Sequence, residues 1–158
     1  MMNSVIMPVH KIHPTAIVHP NAVIGKNVEI GAYAIVGDDV VIGDGCKLYP
    51  HAVIHEHTTV GKNCTFFPGC SIGAVPQDLK FAGEHSSIII GDGCIFRECT
   101  TVNRATGEGN KTIIGNNLLM MAYTHVAHNC IVGNNVIMSN VATLAGHVTV
   151  EDRAVIGG

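Results

Sequence analysis

Residues 22–43 read AVIG-KNVEIG-AYAIVG-DDVVIG and repeat one short pattern. In each repeat a large aliphatic residue is followed at once by glycine, as in Ile24-Gly25 and Ile30-Gly31. A spacing of six residues matches neither the 3.6-residue period of an amphipathic helix nor the two-residue period of a strand. It is typical of a parallel β-helix, in which short strands and tight turns alternate around a closed core.

The same pattern continues in both directions from this stretch. Every residue whose number is a multiple of six, from Ile12 to Ile156, is apolar except Asp78, Glu84 and Glu108. Two positions before each of these residues stands a small or β-branched residue that fits the narrowing interior beside it. An Asn or Asp, which tolerates the left-handed turn conformation, often comes just before that; examples are Asn27, Asp39, Asn63, Asn117 and Asn135.

The period also fixes which residues lie above one another. Three repeats of six make one coil, so residues 18 apart are expected to stack about 4.8 Å apart. The chain then forms about seven coils of an all-β solenoid within a single domain, residues 1–158. Five of the six cysteines fall at the small inward position, and we expect reduced, buried thiols there: Cys46, Cys64, Cys70, Cys94 and Cys130.

Composition excludes several classes of protein. The formal net charge of -3 is unlike that of a strongly basic nucleic-acid-binding protein. No apolar run approaches the roughly 18 residues of a membrane helix. The first eight residues, Met1–Pro8, lack the basic and apolar segments of a secretory leader. We therefore expect a cytoplasmic protein without a membrane span.

Two segments interrupt the repeat without changing its phase. Residues 74–89 and residues 103–113 are expected to be loops that leave an intact coil. Long loops within a compact domain are usually functional or disordered. The first loop carries Asp78 and Lys80 beside apolar Leu79 and Phe81, and a merely solvated loop is the alternative interpretation.

Three of the histidines are brought together by the period of 18. His128 lies one coil from Gly146, His147 follows that glycine, and His125 precedes His128 by three residues. A neutral imidazole can accept a proton from a hydroxyl, and a glycine N–H can stabilise an oxyanion, so this column suits acyl transfer. The alternative interpretation is that these histidines are ordinary polar side chains on the surface without a catalytic role. We expect no chemical role for the other histidines at surface and loop positions: His13, His19, His51, His55, His57 and His85.

Four segments carry a resemblance to a known family. They are residues 77–84 (QDLKFAGE), 117–120 (NLLM), 125–128 (HVAH) and 142–147 (ATLAGH). On these segments the chain resembles the hexapeptide-repeat acyltransferases of lipid A biosynthesis over nearly all of residues 12–158. The resemblance implies a left-handed parallel β-helix and a homotrimer in a Gram-negative-type bacterium. It further implies transfer of a 3-hydroxyacyl chain from acyl carrier protein to the 3-hydroxyl of UDP-N-acetylglucosamine, without a cofactor.

The resemblance also implies roles for single residues. His128 matches the general base and Gly146 the oxyanion amide. Asp78 and Lys80 match loop residues that contact the sugar nucleotide, and His125 and His147 match histidines of the sugar and acyl pocket. Few basic side chains could meet an acidic carrier protein; they are Lys80, Arg97, Arg104, Lys111 and Arg153.

The sequence departs from the family at two places. Asn129 stands where family members carry an acid that orients the histidine, and an amide can hydrogen-bond but cannot balance an imidazolium by charge. The chain stops at Gly158, whereas the family continues through further coils into a helical region, so we expect a truncated form.

Three alternatives to the O-acyltransferase stay open. One is a related N-acyltransferase, against which the loop of residues 74–89 argues, or a variant that accepts a 3-amino sugar, because the sequence does not reveal the attacking atom. A non-catalytic β-helix scaffold would not use the column of His128 and Gly146. Zinc is the rival use of three histidines, but His125 and His128 are three residues apart, whereas trimeric β-helix carbonic anhydrases carry an H-x4-H pair; we expect no metal.

Overall fold

The computed structural model describes residues 11–158. The interpretation of Met1–Pro8 lies outside these residues. None of the described residues forms a helix long and apolar enough to cross a membrane. The chain instead consists of short strands separated by turns, as the six-residue period predicts.

Twenty-two strands follow one another along the chain. In order they are β1 (Lys11–Ile12), β2 (Ile17–Val18), β3 (Val23–Ile24), β4 (Glu29–Ile30), β5 (Ile35–Val36), β6 (Val41–Ile42), β7 (Lys47–Leu48), β8 (Val53–Ile54), β9 (Thr58–Val60), β10 (Thr65–Phe66), β11 (Ser71–Ala74), β12 (Ser87–Ile90), β13 (Ile95–Phe96), β14 (Thr101–Asn103), β15 (Lys111–Ile114), β16 (Leu119–Met120), β17 (His125–Val126), β18 (Ile131–Val132), β19 (Ile137–Met138), β20 (Thr143–Leu144), β21 (Thr149–Val150) and β22 (Val155–Ile156).

Every third strand belongs to the same parallel sheet. Sheet 1 has the order β1-β4-β7-β10-β13-β16-β19-β22, sheet 2 the order β2-β5-β8-β11-β14-β17-β20, and sheet 3 the order β3-β6-β9-β12-β15-β18-β21. The three sheets form the walls of a prism, and each coil contributes one strand to each wall. The expected fold, a left-handed parallel β-helix, is confirmed.

The core is a set of columns that run along the prism. Residues at the multiples of six point inward and are buried through most of its length, from Ile30 to Val150. Large rings stack within one such column, where Phe66 and Phe96 are 5.0 Å apart and nearly parallel. Because like residues stack on like, aliphatic columns replace the mixed aromatic core of a globular domain.

The small inward positions also behave as expected. The five cysteines assigned to them are buried and free, and Cys99 is exposed. Most residues just before the small positions have positive φ angles, as predicted; Asn27 has a φ of 54° and Asn117 one of 55°. Asn is well suited to this conformation, since its side chain can hydrogen-bond locally.

The two interruptions are shorter than the sequence indicates. Strand pairing extends through Ala74 and resumes at Ser87, so the first loop comprises residues 75–86. The second loop comprises residues 104–110 for the same reason. Main-chain pairing with the neighbouring coil therefore continues further into both segments than the hydrophobic pattern shows.

Both loops leave the stacking of the coils intact. Ile88 pairs with Thr58, so the coil with the first loop has 30 residues (88 − 58) rather than 18. Lys111 pairs with Ser87, so the next coil has 24 (111 − 87). Both lengths are multiples of six, and the phase of the repeat is therefore unchanged after each loop.

Candidate active site

The expected site residues lie along one corner of the prism, where the chain passes from sheet 2 to sheet 3. Loop 75–86 follows β11, and loop 104–110 follows β14. His128 follows β17, and Gly146 follows β20. Since these four strands are neighbours in sheet 2, the segments after them are stacked in the same order. We call this edge the sheet 2–sheet 3 corner.

The imidazole of His128 covers Gly146. A Cβ atom added to Gly146 would lie 2.6 Å from Nε2 and 2.6 Å from Cε1 of His128, closer than any side chain permits. The two coils are held together here by the His147 N–H, which donates to the His128 carbonyl across 3.0 Å. Within residues 11–158, no main-chain carbonyl accepts a hydrogen bond from the Gly146 N–H. The 18-residue repeat thus places an imidazole over a glycine whose N–H has no main-chain acceptor in this part of the chain.

The other side of the His128 ring faces Asn129. Nδ1 of His128 is 2.9 Å from Oδ1 of Asn129. The same Oδ1 accepts a hydrogen bond from the Thr106 N–H across 2.9 Å, and Nδ2 donates to the Thr106 carbonyl across 3.1 Å. The Asn129 N–H donates to Oγ1 of Thr112 across 2.9 Å. The residue that departs from the family pattern is therefore held at four points.

Asp78 approaches His128 from loop 75–86. Its Oδ2 is 3.9 Å from Nε2 of His128, and the two side chains are only 19% and 14% exposed. The Lys80 N–H donates to Oδ1 of Asp78 across 3.0 Å. This hydrogen bond holds the pKa of Asp78 below its ordinary value, and the nearby His128 and Lys80 act in the same direction against partial desolvation. Asp78 is thus a carboxylate beside the histidine.

Lys80 is placed differently from Asp78. It interacts with Asp78 through its main chain, while the residue itself is exposed at the loop surface beside the fully exposed Leu79. The structure therefore brings Asp78 to His128, while the exposed Lys80 ammonium forms no ion pair with any carboxylate of residues 11–158.

The structure brings His147 into contact with His128, whereas His125 lies on β17, three residues before His128. Nδ1 of His125 is 2.7 Å from Oγ1 of Thr101. Burial lowers the pKa of His125, so this ring favours its neutral form. His147 is exposed at the turn after Gly146, and its ring meets the ring of His128 edge-on at 5.2 Å.

The loop that carries Asp78 is supported by contacts of Arg104 that the sequence pattern does not reveal. Nη1 of Arg104 donates to Oε1 of Glu56 across 2.7 Å, and the Arg104 N–H donates to the Ala74 carbonyl. The guanidinium also lies 5.7 Å from the ring of Phe81. Partial burial would raise the pKa of Glu56, but the hydrogen bond from Arg104 outweighs it and holds that pKa below its ordinary value.

Two of the basic residues expected to face a carrier protein are otherwise engaged. Arg104 is 7% exposed and paired with Glu56, so its expected availability to a carrier protein is wrong. Arg97 is paired with its neighbour Glu98 and lies 4.4 Å from the ring of Phe67. The contacts that each basic side chain makes, rather than the number of basic residues, therefore decide which of them can meet a partner.

The two loops also contact each other. Glu84 accepts hydrogen bonds from the N–H groups of Gly107 and Ala82, and Glu108 accepts one from the His85 N–H. Glu84 and Glu108 are two of the three residues that break the apolar column in the sequence. Their carboxylates join loop 75–86 to loop 104–110 and so fix the position of Asp78.

Among residues 11–158, no three His, Cys, Asp or Glu side chains are grouped as metal ligands. Several other histidines make surface contacts; Nδ1 of His57 lies 3.0 Å from Oδ2 of Asp39, and Nε2 of His55 lies 2.8 Å from Oγ of Ser71. The lack of a chemical role for these histidines stays a prediction.

Comparison with known proteins agrees with the fold. A family model described as bacterial transferase hexapeptide (six repeats) matches residues 21–56 and 39–74. A UDP-N-acetylglucosamine acyltransferase structure from Bacteroides fragilis is 46% identical, with a TM-score of 0.90, over 92% of this chain and 57% of that one. One from Campylobacter jejuni is 42% identical, with a TM-score of 0.88, over 94% and 58%. The fold is therefore similar to that of these acyltransferases over nearly the whole of this chain.

Curated relatives make the comparison more specific. A Stenotrophomonas maltophilia protein named acyl-(acyl-carrier-protein)–UDP-N-acetylglucosamine O-acyltransferase is 52% identical over 94 residues, which are 59% of this chain and 36% of that protein. A Gloeothece citriformis protein of the same name is 51% identical over 92 residues, or 58% and 33%. The match thus spans about a third of the relatives' length. The resemblance to the UDP-N-acetylglucosamine O-acyltransferases is confirmed.

Proposed function

We propose that this chain carries the catalytic corner of an acyltransferase of lipid A biosynthesis. It moves a 3-hydroxyacyl chain from acyl carrier protein to the 3-hydroxyl of UDP-N-acetylglucosamine. The observation that carries the proposal is the position of the His128 imidazole, a proton acceptor, over Gly146, whose N–H has no main-chain acceptor within residues 11–158. The names of the relatives supply the two substrates.

The reaction follows from this pair of groups. Nε2 of His128 accepts the proton of the sugar hydroxyl as its oxygen attacks the thioester carbonyl. The carbonyl oxygen becomes an oxyanion, which the Gly146 N–H stabilises by hydrogen bonding. The tetrahedral intermediate then collapses, the carbon–sulfur bond breaks, and the imidazolium returns its proton to the departing thiolate. Atoms and charge balance, with the ester and the free carrier thiol as products.

The residues around the pair bind and orient the acceptor. Asp78 beside Nε2 balances the charge of the imidazolium and faces the sugar, and the exposed Lys80 ammonium meets the nucleotide. His125 and His147 contact the sugar and the start of the acyl chain. A positioned general base contributes about 10²–10⁴-fold, and orientation supplies much of the rest.

Assembly and location belong to the same proposal. Like the family that it resembles, the chain forms a homotrimer in which a neighbour closes the open side of the sheet 2–sheet 3 corner. Its buried, free thiols suit the reducing cytoplasm, where we place it. Analytical ultracentrifugation of the 158-residue chain tests the trimer, and a monomer across the micromolar range would contradict it.

Replacement of the general base tests the reaction. His128→Ala in the full chain should lower turnover of acyl carrier protein thioester and UDP-N-acetylglucosamine by about 10²–10⁴-fold. His13→Ala, an exposed histidine on the first coil, serves as the control and should match the wild type. Equal turnover in the wild type and His128→Ala would remove the proposed role of this residue.

The choice of acceptor separates the remaining possibilities. The 3-hydroxyl acceptor should be used in preference to its 3-amino analogue. Preference for the amine would identify an N-acyltransferase, which contradicts the proposed ester product. A folded wild-type chain that binds neither UDP-N-acetylglucosamine nor acyl carrier protein would identify a scaffold and overturn the proposal.

A further inference from the structure

The outer face of sheet 2 changes from apolar to polar along its length. On β2, β5 and β8 the outward residues are aliphatic: Ile17, Ile35 and Val53. On β14 and β17 they are Thr101 and His125, which stand directly opposite each other in the pairing of the two strands. The polar part of this face therefore lies beside the sheet 2–sheet 3 corner, where His128 follows β17.

The His125 ring is joined to Thr101 by a short hydrogen bond. Nδ1 of His125 lies 2.7 Å from Oγ1 of Thr101, the shortest hydrogen bond that any histidine ring makes within residues 11–158. A threonine hydroxyl can rotate either to donate or to accept. It can therefore hold Nδ1 whether or not that nitrogen carries a proton, so Thr101 fixes the place of the ring rather than its tautomer.

Both ends of this hydrogen bond are anchored in the sheet. The Thr101 N–H donates to the Thr124 carbonyl across 3.0 Å, and the His125 N–H donates to the Ala142 carbonyl across 3.1 Å. Thr101 is also β-branched, which leaves few rotamers open to its side chain. The hydroxyl therefore meets the ring from a fixed position in the preceding coil.

Burial determines what the ring can offer to a bound molecule. His125 is half-buried, and this burial lowers its pKa against a smaller, opposite effect of the Thr101 main chain. The ring is therefore neutral at neutral pH, with one nitrogen that can donate and one that can accept. Since Nδ1 is engaged by Thr101, Nε2 is the nitrogen that can meet a ligand, by a hydrogen bond rather than by charge.

We propose that Thr101 is a positioning residue: its hydroxyl holds the His125 ring against sheet 2, so that Nε2 faces the acceptor sugar. The contact with the sugar rests on the proposed function. The restraint that Thr101 places on the ring does not, and it can be measured without substrate.

The benefit of this restraint to binding is entropic. Without the hydroxyl, the His125 ring can turn about its two side-chain torsions, and the acceptor must then immobilise it on binding. Immobilising one free side chain weakens binding by about 2–10-fold. Because a change at Thr101 leaves His128 and Gly146 unaltered, we expect the loss in KM for the acceptor and little change in kcat.

Carbon NMR relaxation of the full chain, labelled in its histidine rings, measures the restraint directly. The Cδ2–Hδ2 and Cε1–Hε1 groups of each imidazole report how far the ring moves on the picosecond-to-nanosecond timescale. The His125 signals are identified by their disappearance in His125→Asn. In the wild type we expect the His125 ring to be nearly as ordered as the main chain of β17.

Substitutions at residue 101 separate the hydroxyl from the rest of the side chain. Thr101→Val keeps the shape and removes the hydroxyl, so the order of the His125 ring should fall. Thr101→Ser keeps the hydroxyl and should restore it. Thr101→Ala removes the hydroxyl in a second way, should valine disturb the pairing of the strands, and amide spectra verify the fold of each variant. The inference is overturned if the ring stays as ordered without the hydroxyl, or if Thr101→Ser behaves like Thr101→Val.

Ser71 provides a matched control on the same sheet. Its Oγ lies 2.8 Å from Nε2 of His55, and it stands opposite Thr101 in the pairing of β11 and β14. Ser71→Ala should loosen the His55 ring and leave the His125 ring as ordered as in the wild type. Equal loosening of His125 in Ser71→Ala and Thr101→Val would indicate an effect on the whole sheet and would contradict the inference.

Kinetics tests the link to function separately. For an active chain, Thr101→Val should raise KM for UDP-N-acetylglucosamine by about 2–10-fold and change kcat by less than about twofold, and Thr101→Ser should restore KM. An active chain whose KM is unchanged in Thr101→Val would overturn the positioning role and leave the proposed function intact. A chain with no turnover whose His125 ring is loosened by Thr101→Val would uphold the restraint and overturn the proposed function.

Discussion

Arg104 and Glu56 are 48 residues apart in the sequence, yet their side chains form an ion pair of 2.7 Å at the sheet 2–sheet 3 corner. Glu56 lies at the turn after β8, and Arg104 begins the loop after β14. The pair therefore spans the coil from which loop 75–86 emerges. The position of Asp78 depends on this connection as well as on the regular coils.

Loss of the Glu56 carboxylate should loosen loop 75–86. Glu56→Gln leaves the buried Arg104 without its charged partner. We expect the free energy of unfolding to fall by about 1–3 kcal/mol, a range that already allows for the partial exposure of Glu56 to solvent. Thermal melting and the rate of proteolysis within residues 75–86 measure the two effects. Glu29→Gln, which removes a surface carboxylate shared by Lys11 and Lys47 at 3.7 Å, is the control and should change stability by less than about 0.5 kcal/mol. Equal effects of the two variants would contradict a special role for the Arg104–Glu56 ion pair.

A methyl group at residue 146 should displace the imidazole of His128, the proposed general base. The Cβ of Gly146→Ala would meet the ring of His128 at 2.6 Å, so the ring must move while the coil itself is retained. We expect turnover to fall by about 10²-fold or more, which corresponds to loss of one oxyanion donor or of a base. Gly157→Ala is the matched control, since nothing lies within 4 Å of its added Cβ. A Gly146→Ala chain with wild-type kcat/KM would show that this close contact is irrelevant to the reaction.

Stability should fall in mild acid because His125 is buried. Its pKa is lowered in the folded chain, so the unfolded chain binds more protons as pH falls below the ordinary histidine value of about 6.5. The folded state therefore loses stability from about pH 6.5 downward, until His125 is itself protonated. We expect a smaller loss of stability in His125→Asn, to be measured by urea unfolding at pH 7.5 and pH 5.5. Thr143→Val, at the exposed neighbouring position on β20, should retain the wild-type loss. Parallel curves for wild type and His125→Asn would contradict the assignment.

The coils could be predicted from the sequence because the period of six constrains every coil in the same way. Each multiple of six must bury an aliphatic side chain, and the stacking of residues 18 apart follows directly. That rule alone brings Gly146 to His128, and it predicts the positive φ at Asn27 and Asn117.

The contacts of the loops could not be predicted in this way. Loops 75–86 and 104–110 leave the prism, so the period gives no information about what they touch. Hydrogen bonds between segments of irregular shape decide these contacts. They pair Arg104 with Glu56 through side chains, and the main chain of Thr106 with the side chain of Asn129. The one available signal was the pair of carboxylates that break the apolar column, Glu84 and Glu108, and both tie the loops together.

Asp78 and His128 meet within one polypeptide, although they come from different coils. An assembly of such chains would contain one complete acid–base pair for every copy. Mixed oligomers of an Asp78→Asn chain and a His128→Ala chain would contain none, whatever the ratio of the two. An Asp78→Asn subunit and a His128→Ala subunit therefore cannot complement each other.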